Sequence, residues 1–68
     1  MQIAVKVVAK STGYRSTGKV APEYFGKTPE AQRFVESLTA GNWTRVPDDL
    51  LGQTTAQNFY TYARRMEE

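Results

Sequence analysis

The chain has 68 residues, enough for one domain, and a protein of this size buries only about 60% of the surface its unfolded chain exposes. It contains no cysteine and no histidine, which excludes disulfide staples, thiolate chemistry and the commonest metal ligand. The net charge of +2 is unevenly divided. Residues 1–27 hold five basic side chains against Glu23 alone, whereas residues 28–68 hold four basic and six acidic ones.

Gln2 to Lys10 alternates cleanly, with Ile3, Val5, Val7 and Ala9 on one face and Gln2, Ala4, Lys6, Val8 and Lys10 on the other. Period-two patterning rich in β-branched residues predicts a strand with one buried face. Gly13 and Gly18 bracket a polar turn that carries Tyr14 and Arg15 among small hydroxyl residues. Lys19 to Phe25 reads as the return strand, so a basic hairpin spans residues 2–25. Pro22 has no amide donor, which makes the return strand an edge or bulges it there.

Thr28 is a good N-cap, Pro29 suits the first helical position, and Glu30 complements the positive end of a helix dipole. Ala31, Phe34, Val35 and Leu38 follow at helical spacing, and Gly41 stands where a left-handed C-terminal cap is expected. These signals predict a helix over 29–40. Asn42 to Val46 is short and bounded by Gly41 and Pro47, which suggests a third strand with Trp43 at the sheet–helix seam. Pro47 to Gly52 reads as a turn anchored by Leu50 and Leu51. Thr54 and Gln57 have capping-box spacing, and Phe59, Tyr62, Ala63 and Met66 form a stripe, predicting a second helix over 54–66. Arg64 and Arg65 then fall in its last turn, and Glu67 and Glu68 form a frayed end.

The expected architecture is a single α+β domain over 1–68 in the order ββαβα. A small antiparallel sheet, the hairpin plus a short third strand, is covered by two helices. Phe34, Val35, Leu38 and Phe59 are expected in the core with Ile3, Val5 and Val7. A weak homodimer through strand pairing along Gln2–Lys10, or through packed second helices, is also expected.

Enzyme chemistry has little to work with. Asp48 and Asp49 are adjacent in a turn, where carboxylates cap helices or face solvent, and two neighbouring ligands do not make a metal site. The glycines lack phosphate-loop spacing and context. No catalytic residue, metal or cofactor is expected.

Binding is the remaining function. Tyr14 and Arg15 combine rigid aromatic area with a forked cation, and Lys6, Lys10, Lys19 and Lys27 surround them with charge. Tyr60, off the helical stripe and one turn from Arg64, is expected to be exposed beside it. The leading expectation is an inhibitor or adaptor that occupies an acidic surface of a partner protein, with Tyr14 and Arg15 as anchors. In size and style the chain is similar to accessory proteins of phages and mobile elements. The alternative is nucleic acid, with the lysines on phosphates and Tyr14 stacked on a base. A hairpin followed by Phe25-Gly26-Lys27-Thr28-Pro29-Glu30-Ala31 resembles the arm-binding domains of tyrosine integrases, a resemblance of topology and helix start that implies DNA contact. No apolar run approaches the ~18 residues of a membrane span, and Lys6 interrupts the apolar N-terminal stretch, so a cytoplasmic protein without a membrane partner is expected.

Overall fold

Residues 2–66 are described by a computed structural model. The alternating N-terminal segment forms β1 (Ile3–Ala9). A tight turn follows, in which the Gly13 N–H donates to Ala9 O (2.9 Å) and the Ala9 N–H to Tyr14 O (2.8 Å). Gly13 has φ +70°, a conformation open to glycine at little cost. The return strand β2 (Arg15–Val20) therefore starts earlier than the sequence suggests, and Gly18 lies inside it opposite Val5. Pro22 begins a 3-10 turn, Pro22–Phe25, that leaves the sheet and buries Phe25.

Helix α1 (Pro29–Ser37) begins as its sequence demands. The Ala31 N–H donates to Thr28 Oγ1 (3.2 Å) and Pro29 occupies the first turn. It stops at Ser37, with Leu38 extended, so Gly41 caps nothing and the helix is shorter than the expected 29–40. The third strand is likewise short: β3 spans Thr44–Arg45.

The largest correction concerns the C-terminal segment. In place of one helix over 54–66 there are a short helix α2 (Gln53–Asn58) and a strand β4 (Phe59–Arg65). β4 pairs antiparallel with β1 along its whole length, from Ile3↔Arg65 to Ala9↔Phe59. The sheet order is β2-β1-β4-β3, antiparallel throughout, so the fold is α+β with a four-stranded sheet and two helices. β1 is central and paired on both sides. It offers no edge to a second copy, and α2 is too short for the expected helix–helix dimer.

One face of the sheet carries the core. Ile3, Val5, Val46 and Ala63 cluster with Phe25, Ala31, Phe34, Val35 and Leu38, and Val7, Val20, Leu50 and Leu51 pack around them. Phe25 and Phe34 meet edge to face at 5.4 Å, a favoured aromatic geometry. Phe59, expected in the core, is only half-buried where α2 passes into β4. Arg65 ties β4 to the end of α1: its N–H donates to Thr39 O (3.0 Å) and its Nη2 to Glu36 O (3.1 Å).

Candidate functional site

Because side chains alternate along each strand, the residues between the core positions all point to the opposite face. The pairing register arranges them in rows across the sheet. Arg15, Val8 and Tyr60 form one row; Thr17, Lys6, Tyr62 and Arg45 the next; Lys19, Ala4 and Arg64 the third. Trp43, one residue before β3, completes the third row from the edge, where the side chains of Lys6 and Arg64 meet it.

This face is open. Arg15, Thr17, Lys19, Arg45 and Tyr60 are exposed, while Lys6, Tyr62, Arg64 and Trp43 are half-buried against one another. Cations and rings interleave. Lys6 Nζ lies 4.9 Å from the Trp43 ring centroid and 5.1 Å from that of Tyr62. The Arg64 guanidinium lies 4.8 Å from the Trp43 ring. Lys10 Nζ and the Arg45 guanidinium lie 4.9 Å and 4.6 Å from Tyr60. Each contact at such a surface is worth about 0.5–1 kcal/mol. Together they hold the long cationic side chains upright in place of the carboxylates that usually do so.

Charge is sorted by layer. Lys6, Lys10, Arg15, Lys19, Arg45 and Arg64 share the open face. Glu30 and Glu36 ride on α1, on the far side of the sheet, and Glu23 is in the 3-10 turn that precedes it. Among the described residues the acidic group that meets this face is Asp48, whose Oδ1 is 3.8 Å from Arg45 Nη2 at the β3 edge. Both partners are exposed, so this pair contributes little.

The sequence-derived residues thus divide. Lys6, Lys10, Arg15, Lys19, Tyr60 and Arg64 converge on one face. Lys10 also donates through Nζ to Ala56 O (2.7 Å), so part of its bonding capacity is spent holding the end of α2. Tyr14 projects from the hairpin tip, 66% exposed. Lys27 stands apart, beside α1, in a hollow with Glu23 and Glu36. Tyr60 and Arg64 are not helical neighbours; Tyr60 meets Lys10 and Arg45, and Arg64 meets Trp43. Trp43, Arg45 and Tyr62 join them on this face without being marked as site residues by the sequence. The sequence places Trp43 at the sheet–helix seam and Tyr62 in a helical stripe, yet both lie on the open face. Alternation through Asn42–Val46 and Tyr60–Arg64 was the signal that could have found them.

No three His, Cys, Asp or Glu side chains come together to hold a metal ion among the described residues, and no helix there is long and apolar enough to cross a membrane. No protein-family model, curated protein or solved structure matches the chain.

Proposed function

We propose that the protein is a non-enzymatic nucleic-acid-binding module that works through the open face of its sheet. One observation carries this reading: six cations and three aromatic rings share that face, and the carboxylates of α1 are on the other side of the sheet. Net charge alone argues weakly for a polyanion partner, since +2 is small. What a polyanion meets, though, is the local field, and a predominantly cationic surface attracts it from beyond contact distance. Phosphates would take Arg15 and Lys19 first, because these are exposed on the β2 edge; Arg45 is exposed as well but is held over Tyr60 and beside Asp48. A site on a rigid sheet also costs less ordering on binding than one on a loop.

Fluorescence anisotropy with labelled DNA and RNA oligonucleotides, repeated across salt concentrations, tests the proposal. Binding is expected to fall with log salt at a slope of about −3 to −4, the value for some five phosphate contacts on a single strand. Lys19→Ala should lower the slope by roughly one unit. Failure to bind any nucleic acid at low salt overturns it.

A second reading rests on Tyr14, the most exposed of the large apolar side chains. With Arg15 beside it at the end of the hairpin, it has the chemistry of an anchor in an acidic pocket of a partner protein. Under this reading Tyr14→Ala and Arg15→Ala each cost about 2 kcal/mol or more of affinity, while the lysines act mainly on the association rate.

A further inference from the structure

We infer that the nucleic acid taken by this face is a single strand with splayed, unpaired bases, an inference that rests on the nucleic-acid reading above. The first support is spacing. Tyr60 and Tyr62 project from one strand two residues apart, so their rings rise about 7 Å from each other. A strand inside a duplex advances only ~3.4 Å per nucleotide. Successive bases can meet both rings only when the strand is unstacked and extended. A duplex keeps its base faces inside the stack and would leave both rings unused.

The second support is relief. In the third row the small side chain of Ala4 lies between Lys19 and Arg64, and the result is a hollow of about 330 Å³ walled by Trp43, Arg64 and Met66. Its floor is apolar, one wall is an indole and its rim carries two cations. That combination suits a flat, polarisable ring attached to an anionic backbone. It is poorly matched to the smooth rail of phosphates that a duplex presents. Lys6 stands between the Trp43 and Tyr62 rings and Arg45 lies over Tyr60, and each can turn from its ring to a phosphate when a base stacks there. The exchange trades a cation–π contact for an ion pair and frees the ring face.

The third is the position of the remaining charge. Arg15 and Lys19 lie on β2, two strands from the tyrosines of β4, which at ~4.8 Å per strand is about 10 Å. Phosphates can lie along β2 while the bases reach over β1 to the aromatic rings.

Trp43 is the sole tryptophan and lies in the proposed contact, so its emission reports on stacking directly. The test titrates the full chain with oligo(dT), with oligo(U) and with a duplex, each of about 12 nucleotides per strand. Both single strands are expected to quench Trp43 and to bind at least tenfold more tightly than the duplex; the ratio of dT to U separates DNA from RNA as the preferred form. Tyr60→Leu and Tyr62→Leu should each weaken single-strand binding about 5- to 150-fold, with the salt slope unchanged, because a lost stack releases no counterion. Ala4→Leu, which fills the hollow, should weaken it without changing charge. If a tyrosine variant fails to fold by circular dichroism, strand preference and quenching in the wild-type chain decide the matter. Duplex binding as tight as single-strand binding, or single-strand binding without quenching, overturns the inference and leaves the nucleic-acid reading standing. Absence of binding to all three overturns both.

Discussion

The ammonium of Lys6 lies 4.9 Å from the centre of the Trp43 ring, joining the central strand to the far edge of the sheet across β4. Its own strand places it opposite Thr17 on one side and Tyr62 on the other, so this cation sits in the middle of the open face. Lys6→Met keeps the apolar stem and removes the charge. Two cation–π contacts disappear, and stability should drop by no more than about 1–2 kcal/mol. The larger effect should be on binding: the salt slope for an oligonucleotide falls by roughly one unit. A chemical melt and a salt titration of the same variant check the two halves. An unchanged slope would remove Lys6 from the interface.

On the buried face, Thr61 is 2% exposed and its Oγ1 has no hydrogen-bond partner. Its backbone carbonyl is satisfied by the Val46 N–H at 2.8 Å, so only the hydroxyl is unpaired. Burying such a group costs roughly 1–3 kcal/mol, and valine has nearly the same shape without it. Thr61→Val should therefore stabilise the protein by about 1–2 kcal/mol, read as a higher denaturant midpoint at constant m-value. A lower midpoint would mean that the hydroxyl has found a partner, such as a buried water.

Core truncations act in the opposite direction. Leu38 is 3% exposed and Phe34 meets Phe25 edge to face. Leu38→Ala should cost about 2–5 kcal/mol and Phe34→Ala about 3–5, by lost burial and by the cavity left behind. In a domain this small either loss takes up most of the available stability. A cooperative melt at the wild-type temperature for Leu38→Ala would show that the contact with the sheet is not formed.

These placements show how far the sequence is legible. The strand at Ile3–Ala9, the Thr28–Pro29 helix start and the core stripe of Ala31, Phe34, Val35 and Leu38 follow from short-range pattern, and the structure bears them out. The C-terminal segment does not, because Phe59, Tyr62, Ala63 and Met66 satisfy helical spacing while Thr61 and Ala63 alternate with Tyr60, Tyr62 and Arg64 at strand spacing. Over these eight residues both periods fit. The second edge of β1 decides between them: with β4 as a strand, its amides and carbonyls are paired. That long-range fact also builds the candidate site. Lys6, Lys10, Arg15 and Lys19 could be read as a basic hairpin, but Trp43, Arg45 and Tyr62 join them only through the β1–β4 and β4–β3 pairings.

Two glycines near the hairpin should respond oppositely to an added side chain. Gly13 has φ +70°, so Gly13→Ala is strained although no atom lies within 4 Å, and it should destabilise by about 1 kcal/mol. Gly18 lies inside β2 with ordinary dihedral angles and open space around it. Gly18→Thr restricts the unfolded chain and favours strand geometry, so it should stabilise by about 0.5–1 kcal/mol. Thermal melts of the two variants in parallel check the pair, and a common sign would mean that the turn is placed wrongly.

Lys10 and Lys19 carry the same charge on the same face but are held differently, which separates structure from binding. Lys10 donates to Ala56 O at 2.7 Å and stands over the Tyr60 ring, so its side chain links β1 to the last turn of α2. Lys19 is exposed on the edge strand opposite Ala4, and its charge is free to meet a ligand. Lys10→Ala should lower stability by about 1 kcal/mol through the lost hydrogen bond and cation–π contact. Its effect on binding should be modest, because the ammonium is already engaged. Lys19→Ala should leave the melt within about 0.5 kcal/mol of wild type and still weaken oligonucleotide binding, most at low salt, where screening is least. Melting curves and anisotropy titrations on both variants give four numbers. The reverse pattern, with Lys19 affecting stability and Lys10 binding, would place the phosphate path along the hairpin turn and the end of α2, away from the β2 edge.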